Sequence, residues 1–146
     1  MKKILIGTHN KGKFREISFL LSKKIKKVSP TELKIRSPKE TGKTFSENSE
    51  LKAKYFSKHT NLPVISDDSG LCINALNKKP GIFSARWAKK RGSFYKAMKF
   101  IIKKMRRKKD RSAFFVCSLS YSHSKKKLVT AVGIIKGSIS FEILGS

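Results

Sequence analysis

The sequence predicts one α/β domain built on a mixed, twisted β-sheet flanked by helices. Two observations support this fold class. Short apolar runs typical of buried strands, such as residues 4–6 and 63–66, alternate with segments whose apolar residues recur at helical spacing. The 146 residues are the length of one domain, and they contain neither an internal repeat nor a linker. We therefore expect a single domain over residues 1–146.

The N-terminal half begins with a predicted strand over residues 2–7, which a glycine ends. A helix then runs to about residue 22, because apolar residues recur at helical spacing at Phe14, Ile17, Leu20 and Leu21. Residues 28–44 include two prolines and are expected to form a loop that contains at most one short strand. A second helix begins near Thr44, where the letters T-F-S-E fit a capping box.

The following half contains a buried strand at residues 63–66 that enters an acidic turn at residues 67–70. The third helix is the most strongly periodic element of the chain, since its apolar residues step by three and four. The remaining expected elements are, in order, extended chain at 71–76, a loop around Pro80, this helix at 94–105, a strand at 113–121, a turn at 125–127, and strands at 128–135 and 138–144.

Lysine and arginine outnumber acids by 35 to 9, which gives a formal net charge of +26. The basic residues are spread along the whole chain rather than gathered on one element, so they do not predict a specific nucleic-acid interface. Such a charge still attracts polyanions, including nucleoside triphosphates, at long range. A basic nucleic-acid-binding protein remains one alternative at this point.

The chain contains no apolar stretch of membrane-spanning length. Cys72 and Cys117 lie within apolar runs and have no partner at metal-ligand spacing, so buried free thiols are expected rather than a disulfide. Both observations favour a cytoplasmic protein without membrane partners.

A polar turn between the first strand and the first helix is the first candidate for chemistry. Backbone N–H groups at the start of a helix suit phosphate, glycine permits close approach, and lysine adds a positive charge. The predicted substrate-binding residues of this turn are Thr8, His9, Asn10, Lys11, Gly12 and Lys13. The alternative is an ordinary helix cap with solvent-facing lysines.

Five of the nine acids fall between positions 40 and 68, namely Glu40, Glu47, Glu50, Asp67 and Asp68. For Glu47 and Glu50, a place on a solvated helix face explains the pattern as well as a chemical role does. Adjacent aspartates after a buried strand point to different sides of the chain, so one can bind a metal ion while the other anchors the turn. Magnesium prefers such hard oxygen ligands, whereas the alternative is a plain Asx turn.

Four segments together resemble the inosine triphosphate pyrophosphatase family, and the resemblance extends over essentially the whole chain. They are T-H-N-K-G-K-F-R-E at 8–16, E-T-G-K-T-F-S-E-N-S-E-L-K-A at 40–53, I-S-D-D-S-G-L at 65–71 and P-G-I-F-S-A-R-W at 80–87. The resemblance implies an inosine triphosphatase-like fold and magnesium-dependent hydrolysis of ITP, dITP or XTP to the monophosphate and pyrophosphate. It also implies a homodimer.

The resemblance assigns roles to individual residues. Thr8, Asn10 and Lys13 would hold the triphosphate, Lys52 would pair with phosphate, and Ser69 would contact the substrate. Glu40 and Asp68 would bind Mg²⁺, and Asp68 would also accept the proton of the attacking water.

One departure from the family pattern limits these expectations. Family members continue with a G-F-G-Y-D-P segment and an S-H-R segment that read the purine, whereas this sequence stops at residue 146. A domain truncated at its C-terminus is therefore expected, with the phosphate and metal half present. A catalytically impaired remnant that binds nucleoside triphosphate and magnesium is the second alternative.

Overall fold

The computed structural model describes residues 2–123 and 127–145. Two single 3₁₀ turns, at Asn74–Leu76 and Gly81–Phe83, accompany its regular elements. These elements are β1 (Lys3–Ile6), α1 (Lys11–Leu20), β2 (Lys26–Val28), α2 (Phe45–Thr60), β3 (Val64–Ile73), β4 (Lys79–Pro80), α3 (Ser84–Arg91), α4 (Phe94–Met105), β5 (Ser112–His123) and β6 (Lys127–Ser138).

The strands form one mixed sheet in the order β2-β1-β3-β5-β6, and the short β4 pairs with β3. β1 is parallel to both β2 and β3, with Leu5 opposite Val28 and Val64. β4 is antiparallel to β3. The predicted α/β class with a mixed sheet is therefore observed. Since parallel strands end at the same edge, the turn after β1 leaves the sheet beside the acidic part of β3.

The chain divides into two compact units. The first comprises Met1–Asp68 with Ser118–Val132, and the second comprises Ser69–Cys117 with Gly133–Ser146. The core of the first unit is a cluster of buried side chains from β1, β2, α2 and β3, namely Leu5, Val28, Phe56 and Val64. Burial of the Phe56 ring alone contributes about 1.5–3 kcal/mol.

Gly7 follows β1 against this core, and its backbone N–H donates to the carbonyl oxygen of Ile65 at 2.7 Å. A Cβ atom at this position would collide with Ser66 Oγ and would lie 2.7 Å from the ring of Phe56. The close approach of β1 to β3 and α2 therefore requires glycine here.

The second unit is organised around α4, whose buried residues recur every four positions at Ala97, Ile101 and Met105. Ile101 and Met105 pack with Ile73 and Ala113 to form the core of this unit. The hydroxyl of Ser93 caps the helix by accepting from the backbone N–H of Lys96 at 3.1 Å.

Arg111 closes the C-terminal side of the second unit. Its guanidinium donates to the carbonyl oxygens of Met105, Ile139 and Ser140 at 2.9, 2.7 and 2.7 Å, and it lies 4.0 Å from the ring centroid of Phe141. A cleft of about 540 Å³, here called the basic cleft, is lined by Lys99, Ile102, Lys103, Arg106, Arg111 and Phe141.

Two predicted strand boundaries are wrong. The acidic turn at residues 67–70 does not exist, because β3 runs unbroken from Val64 to Ile73. The two predicted C-terminal strands are instead the single strand β6, which ends at Ser138. The chain leaves the sheet there because Arg111 binds the carbonyl oxygens of the next two residues and its own carbonyl accepts from the N–H of Ile139.

Three elements are not predicted by the sequence, and one of them is β4, which lies in the expected loop around Pro80. β2 has only three residues, and α3 presents little apolar periodicity, with Ala88 as its single buried residue. The predicted turn at residues 125–127 lies largely outside the described residues. Within residues 2–123 and 127–145, no helix has the length and apolar character needed to cross a membrane. Cys72 is buried as expected, Cys117 is half-buried, and no disulfide joins them.

Candidate active site

The turn after β1 is closed by the side chains of Thr8 and Asn10. The backbone N–H of Asn10 donates to Thr8 Oγ1 at 3.1 Å. Asn10 Oδ1 accepts from the backbone N–H groups of Gly12 and Lys13 at 2.8 and 3.2 Å, which makes Asn10 the N-cap of α1. The polar turn is therefore shorter than predicted, because Lys11 already lies in the helix.

The cap determines which groups of this turn are open to a phosphate. The backbone N–H groups of Gly12 and Lys13 are already bonded to Asn10, so the ordinary cap of the alternative interpretation is present. Asn10 and Lys11 are exposed. They border a cavity of about 300 Å³ that is lined by Thr8, His9, Asn10, Lys11, Phe14, Arg15, Ser29 and Thr31.

His9 connects this turn to the loop that follows β2. Its Nδ1 lies 2.6 Å from the hydroxyl of Ser37, and its Nε2 lies 3.0 Å from the carbonyl oxygen of Ile35. Both ring nitrogens are therefore engaged within the protein. The structure gives His9 an anchoring position, although the sequence groups it with the phosphate-binding residues.

Asp67 and Asp68 are neighbours on β3 and are 4% and 6% exposed. Successive strand residues point to opposite faces, so the two carboxylates have different partners. Asp67 Oδ2 lies 2.6 Å from Lys13 Nζ. Asp68 Oδ2 accepts a hydrogen bond from Asn48 Nδ2 at 3.1 Å. Lys13 is thus an ion-pair partner in this state, not a solvent-facing lysine.

Two buried polar atoms on consecutive residues of β3 have no hydrogen-bond partner among the described residues. They are Asp67 Oδ1 and Ser66 Oγ. Buried polar atoms in proteins are almost always satisfied by protein or ordered water. Asp67 therefore keeps one carboxylate oxygen without a protein partner beside its ion pair with Lys13.

A second ion pair joins α2 to the loop that precedes it. Lys52 Nζ lies 2.9 Å from Glu40 Oε1, and the two side chains are 10% and 29% exposed. Burial raises the pKa of Asp68 above its ordinary value, and the charge of Glu40 raises it further. The charges of Lys52 and Lys13 and the hydrogen bond from Asn48 lower this pKa, but they do not cancel the effect of burial.

The first unit therefore contains almost the whole predicted site. The turn and Asp67 are joined through Lys13, while Glu40 and Lys52 act electrostatically on Asp68. The predicted site residues in this unit are Thr8, His9, Asn10, Lys11, Gly12, Lys13, Glu40, Lys52 and Asp68. Ser69 follows Asp68 on β3 but belongs to the second unit.

Asn48 is a residue of this site that sequence analysis does not single out. It is 1% exposed, and its side chain bonds to Asp68 at one end and accepts from the backbone N–H of Gly42 at 2.8 Å at the other. The available signal was its spacing, because Asn48 lies four residues before Lys52 and thus on the same face of α2.

A layer of hydroxyl groups joins the other side of α2 to β5 and β6. Ser49 Oγ lies 2.9 Å from Ser118 Oγ and 2.7 Å from Ser120 Oγ. Thr130 Oγ1 lies 2.9 Å from Ser120 Oγ and donates to Glu50 Oε1 at 2.9 Å. Glu50 is thus held inside this hydroxyl layer and does not belong to a solvated helix face. Directional bonds fix the start of α2 to the sheet.

Comparison with known proteins shows which family model and which relatives match this chain. A family model described as the Ham1 family matches residues 4–146. The dITP/XTP pyrophosphatase of Gluconobacter oxydans is 36% identical over 138 residues, which are 94% of this chain and 66% of that protein. The dITP/XTP pyrophosphatase of Haemophilus influenzae is 40% identical over 149 residues, which are 99% of this chain and 76% of that protein.

The fold is also similar to solved structures. A HAM1 protein from Coxiella burnetii superposes with a TM-score of 0.87 at 34% sequence identity, and the match covers 99% of this chain and 76% of that one. The chain therefore spans 66% to 76% of the length of these three proteins.

Proposed function

This chain belongs to the Ham1 family, and on that premise we propose that it hydrolyses nucleoside triphosphates to the monophosphate and pyrophosphate. The proposed substrates are the deaminated purine nucleotides ITP, dITP and XTP, in agreement with the names of its relatives. The chain spans 66% of the length of the Gluconobacter protein, so the activity of that whole protein comes to this chain as a proposal.

The observation that carries this proposal is the pairing of two lysines with two carboxylates near Asp68. Lys13 is held by Asp67 and Lys52 by Glu40. Each lysine is therefore already ordered before a ligand arrives, so less conformational entropy is lost on binding. Triphosphate oxygens compete well for such ammonium groups. We propose that Thr8, Asn10, Lys13 and Lys52 hold the phosphates.

A divalent cation, proposed to be Mg²⁺, fits the carboxylates of Glu40 and Asp68. Among the described residues no group of three or more His, Cys, Asp or Glu side chains could hold a metal ion. Magnesium usually takes only one or two carboxylates and completes its shell with phosphate oxygens and water, so this donor set suits it. When bound, such an ion offsets negative charge on the phosphates.

Asp68 is the proposed proton acceptor. Burial raises its pKa, which moves the basicity of the carboxylate towards neutral pH, where a general base is most effective. In the proposed reaction the oxygen of water bonds to the α-phosphorus while the bond from this phosphorus to the α–β bridging oxygen breaks. Pyrophosphate leaves, and Asp68 takes the proton of the water. Ser69 is proposed to contact the substrate.

The test is magnesium-dependent release of pyrophosphate from ITP, XTP and GTP. Asp68→Asn should abolish release, because the amide cannot accept the proton. Glu50→Gln makes the same acid-to-amide change at a residue of α2 outside the proposed site, and it should retain release. Full activity of Asp68→Asn would refute the assignment. Magnesium-dependent binding without turnover by the wild-type chain would instead identify a nucleotide-binding protein without hydrolytic activity.

A second candidate function, binding of single-stranded nucleic acid, is favoured by the basic cleft. Four of its lining residues, Lys99, Lys103, Arg106 and Arg111, are cationic, and none of the described lining residues is acidic. The Phe141 ring beside them is 77% exposed. Cationic grooves with exposed aromatic rings bind the phosphates and bases of single strands.

The proposal also includes a homodimer, which the family resemblance implies, and a cytoplasmic location.

A further inference from the structure

Asn48 links the two segments that carry the proposed metal ligands. Its Nδ2 donates to Asp68 Oδ2 on β3 at 3.1 Å. Its Oδ1 accepts from the backbone N–H of Gly42 at 2.8 Å, in the loop that carries Glu40. A carboxamide has a donor and an acceptor on one rigid planar group, and aspartate or leucine at this position lacks this combination.

The residue at position 42 has to be glycine for this contact to form. A Cβ atom on Gly42 would lie 2.6 Å from Asn48 Oδ1 and 2.9 Å from the backbone nitrogen of Asn48. Both distances are shorter than van der Waals contact allows. The loop therefore approaches α2 more closely than any residue with a side chain permits.

The same loop is attached to α2 a second time, one helical turn further along. Lys52 Nζ pairs with Glu40 Oε1 at 2.9 Å. Asn48 and Lys52 lie on one face of the helix because they are four residues apart. Glu40 is thus located relative to α2 by two contacts, one to its own carboxylate and one to the backbone two residues later.

The helix that carries these contacts is itself firmly positioned. Thr44 caps its start by accepting from the backbone N–H of Glu47 at 3.1 Å. The hydroxyl layer attaches Ser49 to Ser118 and Ser120. Asn48 is 1% exposed, so its side chain has no room to adopt another rotamer.

We propose that Asn48 is a positioning residue that sets the distance between the carboxylates of Glu40 and Asp68 and thereby tunes their affinity for a divalent cation. This inference rests on the proposed function, because it concerns the ligands of the same site. Asn48 acts through its two neighbours and is not assigned any contact with the substrate.

The first test measures Mn²⁺ binding to the full chain without nucleotide, by electron paramagnetic resonance or calorimetry. Asn48→Ala should weaken binding by about 10–100-fold, the usual effect of losing an outer-shell partner of a metal ligand. Ser49→Ala is the matched control, since Ser49 is the next residue, is fully buried, and bonds to the hydroxyl layer and to the carbonyl oxygen of Ser46 but not to Glu40 or Asp68 in the described contacts. Equal affinity of Asn48→Ala and wild type, or equal weakening by both variants, would overturn the inference.

A second variant keeps the test valid if Asn48→Ala folds poorly. Gly42→Ala leaves Asn48 in the sequence but forces the loop away from α2, because the added Cβ meets Asn48 and Glu47, so it should weaken Mn²⁺ binding in the same way. The double variant should be no worse than the more affected single variant, because both changes remove one contact. Additive losses would show that the two residues act independently and would contradict the proposal.

Hydrogen exchange at the Gly42 N–H separates the failure of this inference from the failure of the proposed function. Asn48→Ala should accelerate exchange at this amide, because the amide loses its acceptor. Unchanged exchange would refute the contact itself. Absence of Mn²⁺ binding by wild type would overturn the proposed metal site and this inference together, whereas wild-type binding that Asn48→Ala leaves intact overturns this inference alone.

Discussion

Asp68 is a carboxylate in surroundings that favour its neutral form. Burial is the largest influence on its pKa and raises it, and the opposing charges of Lys52 and Lys13 compensate only in part. A folded protein that contains such a group at neutral pH is less stable than it would be with a neutral side chain. Groups of this kind are concentrated at functional sites, where the perturbed pKa serves the chemistry.

We predict that Asp68→Asn makes the metal-free protein more stable at neutral pH. The folded-state pKa of Asp68 is raised above its unfolded value, so the folded state favours the protonated form. Below the pKa of Asp68 in the unfolded state, this group contributes its full stabilisation to the folded protein. That contribution is lost as the pH rises through the pKa of Asp68 in the folded state. The melting temperature of Asp68→Asn should exceed that of wild type at neutral pH.

The difference in melting temperature should shrink on acidification, as Asp68 in the wild type becomes protonated. Thermal unfolding without metal, at neutral and mildly acidic pH, makes this comparison. A variant that is less stable than wild type at neutral pH would show that the attraction of the lysines for the carboxylate outweighs its burial.

Residue identities at the site could be proposed from the sequence, but their partners could not. Thr8, Asn10 and Lys13 were accessible as a polar turn, and Glu40, Lys52 and Asp68 through the family resemblance. Lys13 and Asp67 are far apart in the sequence, and only the pairing of β1 with β3 brings them close enough to form an ion pair. The sequence does not predict the role of Asn48, because an asparagine near a helix start is usually solvated.

β3 shows how tertiary contacts override local turn signals. The letters D-D-S-G are typical of a turn, yet Val64–Ile73 is a continuous strand. The strand accommodates its acids because each has a partner on its own side, Lys13 for Asp67 and Asn48 for Asp68. A prediction from the sequence alone lacks these partners and therefore ends the strand too early.

The close contact of β1 with its neighbours gives a prediction for Gly7. Gly7→Ala should destabilise the protein by roughly 1–3 kcal/mol, because the new methyl group overlaps the ring of Phe56 and the hydroxyl of Ser66. Gly137→Ala is the matched control, since a Cβ atom there meets nothing within 4 Å. Chemical denaturation measures both variants. Equal stability of the two would show that the core relaxes around the added methyl group.

For the whole molecule, length and periodicity were sufficient to predict a mixed α/β sheet, and the four segments were sufficient to predict the family. The resemblance is confirmed by the family match over residues 4–146 and by the structural similarity. α3 could not be predicted, because it buries only Ala88 and so lacks an apolar stripe. The basic cleft was equally inaccessible, since its lining comes from separate segments of a uniformly lysine-rich chain.

The net charge of +26 makes any polyanion a ligand at low salt, so a specific site has to be separated from this background. If the basic cleft binds single-stranded nucleic acid, Lys103→Glu with Arg106→Glu should lower affinity for a short oligonucleotide strongly. Lys23→Glu with Lys24→Glu changes the charge equally at exposed residues outside the cleft. Fluorescence anisotropy over a range of salt concentrations compares the two.

The cleft variant should also reduce the slope of log affinity against log salt by about 1–2, because each lost phosphate contact on a single strand contributes about 0.7. Equal effects of the two double variants would show that the binding reflects diffuse charge, and the second candidate function would then be rejected.

The chain has a single tryptophan, Trp87, on α3 of the second unit. Its indole lies 5.6 Å from the ring of Phe100 and 5.0 Å from the guanidinium of Arg91. Tryptophan emission, excited selectively, therefore reports on the second unit, whereas the candidate active site apart from Ser69 lies in the first. Emission and circular dichroism give coincident unfolding curves only if both units unfold together. A substitution that loosens the site alone would leave the emission spectrum unchanged.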